Sequence, residues 1–248
     1  MFGKKSGRGP KVIKFAAAQD FIPLPVPART LVPSWYKDTP RFLNGAKKHH
    51  AIEVKGPDGA PAFEGNKTVK ACVPYFEPFI NGYLALLWQD LEIVRTPQGP
   101  QWRWLAFPPV MDVRDGAGME LLPIPAGHRK DQFVWKTPFS VEVPPGYSIL
   151  ITHPINRFDL PFVTLSGIHD ADALLPSGHL PFYLREDFEG IIPKGTPLYQ
   201  IIPYKRDDWK SVDGVDEQRN KSYIRTWEGI SRFMGHYRDT NWQKKKFD

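Results

Sequence analysis

Two aspartates, Asp170 and Asp172, stand one residue apart in the run Gly167-Ile168-His169-Asp170-Ala171-Asp172. In an extended chain alternate side chains share a face. Such a pair can hold Mg²⁺ or orient a water, or it can fasten a turn by accepting N–H bonds. If the surrounding turns come together, His153, His169 and His179 can join the two carboxylates in a metal pocket. None of the histidines (His49, His50, His128, His153, His169, His179, His236) is spaced from another as ligands on one helix or strand are, so turn and core roles are expected. Cys72 is the only cysteine, which excludes an internal disulfide and a thiolate zinc site. It sits in the strand-like run Val69–Val73 and is expected to be a buried small apolar residue, not a nucleophile.

The elements that position the aspartates are short. Between Val143 and Tyr204, the runs Ser148–Thr152, Phe162–Leu165, Pro181–Leu184 and Pro197–Ile202 have strand length and composition. Pro144-Pro145-Gly146 and Pro193-Lys194-Gly195 are turn signals ahead of two of them. The 26 prolines, about twice ordinary usage, fall singly between apolar runs, the mark of many sharply turned strands. Upstream, Phe21–Phe42 reads as an extended proline-rich segment with a short helix at Trp35-Tyr36-Lys37. Pro74–Phe79 reads as a helical turn ended by Asn81-Gly82, and Tyr83–Val94 as one long strand. Trp102 and Trp104 alternate about Arg103, which puts both indoles on one face of a strand. Downstream, Tyr223, Trp227, Ile230, Met234 and Tyr237 make a helical stripe suited to packing on the β domain or on a neighbouring subunit. The division expected is a basic, proline-rich N-terminal arm (1–45), a β-rich core (46–206), and a charged loop with an amphipathic helix (207–248).

The net charge is +6, concentrated at the ends: Lys4, Lys5, Arg8, Lys11 and Lys14 at one, Lys244-Lys245-Lys246 at the other. Solvated tails are the ordinary role of such runs, with nonspecific nucleic-acid contact through the basic termini as the functional one. No stretch approaches the ~18 apolar residues of a membrane helix, and Phe15–Ala18 is too short for a signal-peptide core. No membrane association is expected, and the protein is expected to act in the cytosol or to be assembled there.

Gly167–Asp172 resembles the third motif of the dUTPase-like, β-clip family. Ile192–Ile202 is similar to its fourth motif, a turn glycine (Gly195) ahead of a strand with a central glutamine (Gln200). Val143–Tyr147 resembles the turn before its second. The resemblance implies a β-clip-like barrel or sandwich core, mostly trimeric in that family. It also implies a Mg²⁺-dependent nucleoside triphosphate hydrolase in which Asp170 orients the attacking water, with Arg157, Asp172, Gly195 and Gln200 at the ligand. The chain departs from the pattern at Ala173, where a stacking tyrosine is usual. It departs again at His153–Arg157, which lacks the serine of an arginine–serine pair, and in having no glycine-rich C-terminal arm. Val32–Lys37, Pro74–Asp90, Leu165–Asp172 and Ile192–Arg206 are similar to a second, uncharacterised domain family shared by tailed phages and bacteria. The expectation is therefore a non-catalytic structural or interaction protein, a phage virion or assembly component. It is expected to be a homo-oligomer, with a trimer favoured, or to bind other virion proteins. No cofactor is expected; Mg²⁺ belongs to the enzymatic alternative alone.

Overall fold

The structure, a computed structural model, describes residues 11–43, 52–55, 61–64, 67–114, 122–131, 133–174, 179–214, 217–232 and 235–248. The chain is mainly β, with 34% strand against 20% helix and several antiparallel sheets. It forms two compact units, one of Met1–Ala28 and Gly82–Asp207, the other of Arg29–Asn81 and Asp208–Asp248.

The first unit holds β1 (Lys14–Ala17), β2 (Val26–Pro27), β5 (Tyr83–Leu86), β6 (Leu91–Thr96), β7 (Gly99–Trp104), β8 (Met111–Val113), β9 (Phe133–Lys136), β10 (Phe139–Glu142), β11 (Tyr147–Thr152), β12 (Phe162–Thr164), β13 (Gly167–His169), β14 (His179–Leu184), β15 (Gly190–Ile192) and β16 (Pro197–Lys205). Its largest sheet runs β13-β11-β16-β5-β2, a second runs β12-β14-β9-β8, a third β15-β6-β7, and β1 pairs with β10. Tyr83–Val94 is not one strand. It breaks at Leu87–Asp90 because Leu87 exchanges backbone bonds with the 193–196 turn and Asp90 accepts the Lys194 N–H. The indoles of Trp102 and Trp104 do share a half-buried face of β7, and Arg103 on the other face pairs with Glu92.

Both expected turns form in the same way. Tyr147 N–H donates to the Pro144 carbonyl across Gly146, and Thr196 N–H to that of Pro193 across Gly195. The glycines have φ of +83° and +86°, which a type II turn requires at its third position.

The aromatic core gathers on the second sheet. Trp135 stacks on Phe182 with centroids 3.7 Å apart and meets Phe162 edge-on. All three are fully buried, each contributing about 1.5–3 kcal/mol by leaving water. Trp135 Nε1–H donates to Thr164 Oγ1 (3.1 Å), and the Thr164 hydroxyl donates to the Leu198 carbonyl (2.7 Å). The β5–β16 register slips between Pro197 and Tyr199, so Thr164 ties the second sheet to the first at a bulge.

The second unit holds α1 (Ser34–Asp38), β3 (Ile52–Lys55), β4 (Pro61–Glu64), α2 (Val73–Phe76) flanked by 3₁₀ turns at Val69–Ala71 and Glu77–Ile80, α3 (Glu217–Arg232) and α4 (His236–Thr240). Buried Tyr36 centres an aromatic cluster with Tyr75, Phe76 and Phe79. Lys70 Nζ donates to the carbonyls of Tyr36 and Lys37 and lies over the Tyr36 ring, capping the end of α1. Cys72 departs from expectation. It is exposed, because Thr68 accepts the Lys70 N–H and Pro74 opens α2, turning Val69–Val73 into helical turns instead of a strand. On α3, Tyr223 (66% exposed) and Trp227 (48%) face solvent, so this part of the helical stripe is left uncovered. Lys4, Lys5, Arg8, His49 and His50, and Met234 of that stripe, lie outside the described residues, as does the side chain of Ile230. No helix among the described residues is long and apolar enough to cross a membrane.

Candidate functional site

Asp170 and Asp172 follow β13 directly. The turn is set by the Ala173 and Leu174 N–H groups, both donating to the Asp170 carbonyl (3.0 Å each). Strand β13 pairs with β11, and β11 pairs with β16, bringing Tyr147 opposite Lys205. The residue after β16, Arg206, thereby reaches both carboxylates.

Arg206 is the hub. Its guanidinium grips Asp172 as a fork, Nη1 to Oδ1 at 2.9 Å and Nη2 to Oδ2. Nη1 also donates to the Tyr147 carbonyl (2.8 Å), Ser148 Oγ (3.1 Å) and Asp170 Oδ1 (3.3 Å). The Gly146 N–H donates to Asp172 Oδ2 (2.8 Å), and the hydroxyl of fully buried Ser148 donates to Asp170 Oδ1 (2.6 Å). The Arg206 N–H closes the group on the Gly146 carbonyl.

The electrostatics follow from this geometry. Bonds from Arg206 first, then the Gly146 N–H, hold the Asp172 carboxyl down to about 2, as charge-assisted bonds to the ionised form do. The Asp172 side chain is 9% exposed and that of Asp170 64%. Asp172 is thus ionised, nearly covered and engaged on both oxygens. Asp170 keeps one oxygen, Oδ2, without a partner among the described residues. The arrangement clasps the 144–147 turn, the β13 turn and the end of β16 together.

The remaining expected residues lie apart from this clasp. Arg157 forks onto Asp159 and accepts, at its carbonyl, a bond from His153 Nε2. Gln200 is buried, and its Oε1 accepts the Ile155 N–H (3.0 Å), fixing the 153–157 loop to β16. Gly195 serves its turn and donates its N–H to the Leu87 carbonyl. His153 Nδ1 accepts the Thr164 N–H, which fixes the neutral tautomer protonated at Nε2; burial lowers its pKa. His179 meets Lys136. No group of three or more His, Cys, Asp or Glu among the described residues is placed to hold a metal, so His153, His169 and His179 do not form a metal pocket with the two aspartates. A concavity of about 440 Å³ lies beside His153, walled by His128, Phe158 and Arg185, and Asp170, Asp172 and Arg157 are not in its walls.

Sequence reasoning missed Arg206 and Ser148 as partners of the aspartates. The available signal was the cationic pair Lys205-Arg206 closing a strand beside two acidic residues. The sequence matches no protein-family model, and no curated protein matches it.

Proposed function

We propose that the protein is a non-catalytic structural or interaction protein whose first unit is a β-clip-like core, a degenerate relative of the dUTPase-like family. The observation that carries this reading is the clasp. The carboxylates that would orient water and bind Mg²⁺ are held by an arginine of the same chain, with Asp172 engaged on both oxygens. Phosphoryl transfer depends on positioning and charge neutralisation. Arg157, the candidate phosphate ligand, is neutralised by Asp159, and Ala173 offers no ring for a sugar.

Assembly is the corollary. Trp209 (92% exposed), Leu105 (92%) and Phe107 (80%) are large apolar side chains facing solvent and open to a partner. With the uncovered stripe of α3 they favour a homo-oligomer, a trimer by analogy with the β-clip family, or docking to other components of a particle. The resemblance to a domain family of tailed phages gives the setting, a virion or assembly component made in the host cytoplasm. Nonspecific contact of the basic termini with nucleic acid fits that setting, although Lys245 is paired with Glu77 and Lys246 with Asp248.

Sedimentation velocity of the full chain at micromolar concentration tests the reading. Reversible or stable self-association is expected, weakened by Trp227→Glu. A monomer at every concentration, with no association in the presence of particle proteins, would refute it.

A further inference from the structure

We infer that the second unit carries a binding site for a small amphiphilic anion, an aromatic body bearing a carboxylate, sulfonate or phosphate, in the cavity between α1, the 70–76 segment and the 235–242 segment. The cavity has a volume of about 430 Å³, within the range of small-molecule sites. It is independent of the clasp and of the assembly reading.

The lining divides by chemistry. Tyr36, Phe76 and Trp242 present rings, and Val32, Ala71 and Val73 present aliphatic surface. The charged residues in the wall are Lys37, Arg41, Lys70 and Arg238, and none is acidic. Arg238 is neutralised by its fork with Asp239. Lys70 donates only to carbonyls, which leave its charge intact. Lys37 and Arg41 have no ion pair among the described residues. The Arg41 charge acts on the Tyr36 hydroxyl, so it stands beside the aromatic wall. Three cations around an apolar floor complement a ligand with one anionic end and one flat apolar body. An uncharged ligand would leave that charge unused, and a bare anion would leave the rings uncovered. Trp242 adds an indole N–H that is buried without an acceptor among the described residues, although buried donors are ordinarily paired.

Cys72 makes the site measurable. It lines the cavity, is exposed, and is the only cysteine of the chain. Its alkylation by neutral iodoacetamide therefore reports occupancy at this one place. Naphthalene-2-sulfonate is the probe, with uncharged naphthalene-2-methanol and methanesulfonate as controls.

The sulfonate is expected to slow alkylation saturably. The neutral ring and the bare sulfonate should each protect at least about tenfold more weakly, as loss of one charge-assisted contact implies. Arg41→Gln, at an exposed position, should raise the protecting concentration about tenfold, with protection expressed relative to each protein's own rate without ligand. Lys37→Gln is the second variant should that protein misfold. Failure of the sulfonate to protect, or equal protection by the neutral ring with no effect of either variant, would overturn the inference.

Discussion

Thr164 is the smallest change from which a large effect is expected. Its hydroxyl accepts from Trp135 Nε1–H and donates to the Leu198 carbonyl at the bulge of β16, and the residue is only 2% exposed. Thr164→Val keeps the shape and removes both bonds, leaving one donor and one acceptor buried. Each unsatisfied group costs about 1–3 kcal/mol, so a loss of roughly 2–6 kcal/mol is expected, with no cavity term. Thr164→Ser keeps the hydroxyl, drops one methyl, and should cost about 1 kcal/mol. Urea unfolding followed by tryptophan fluorescence measures both. A valine variant within about 0.5 kcal/mol of the parent protein, the range of an ordinary surface change, would refute the role given to the hydroxyl.

Two glycines separate conformational from steric constraint. Gly82 has φ of +70°, and a Cβ there would lie 2.1 Å from the Ile201 carbonyl oxygen, whereas one on Gly195 would meet nothing within 4 Å. Gly195→Ala should carry only the left-handed penalty of about 1–2 kcal/mol. Gly82→Ala should also force β5 from β16 and cost at least about 3 kcal/mol; equal midpoints in urea would contradict this. Two pH windows follow from the titrating groups. The folded pKa of Asp172 is depressed from 3.8 to about 2, so its stabilisation is complete above pH 3.8 and is lost as pH falls through about 2. Arg206→Gln should flatten that acid limb in a melting-temperature series, and an unchanged limb would argue against the clasp. His153 has its pKa lowered from 6.5 by burial. The unfolded chain therefore binds the extra proton first, and stability, full above pH 6.5, falls as pH drops below it. His153→Gln should remove this component, and persistence of the slope would assign it to another group.

Much of the local structure could be read from the chain. Pro144–Gly146 and Pro193–Gly195 announced their turns because proline fixes its φ and glycine takes the positive φ the turn needs, both without help from distant residues. The strands around them followed from apolar runs between such turns. Asp170 and Asp172 were visible as a pair for the same reason. What they do was not visible, because their partner Arg206 is 34 residues beyond Asp172 and reaches it only through the β13-β11-β16 order. Leu87–Asp90 looked like strand because it lies in a long apolar run in which Asp90 and Glu92 are placed alternately. Its backbone bonds are claimed by a turn more than a hundred residues away. Cys72 looked buried because Val69–Val73 is apolar, and the local capping by Thr68 outweighed that pattern. The cavity of the second unit draws its walls from stretches on either side of the whole β unit, a juxtaposition that no window of sequence contains.

The most direct test of the non-catalytic reading is phosphate release from a panel of nucleoside triphosphates with Mg²⁺, comparing the parent protein with Asp170→Asn. No turnover above the protein-free rate is expected from either, with Asp170→Asn altering only the melting temperature. Mg²⁺-dependent turnover that Asp170→Asn abolishes without changing the melting temperature would contradict it, and would make Asp170 a catalytic residue.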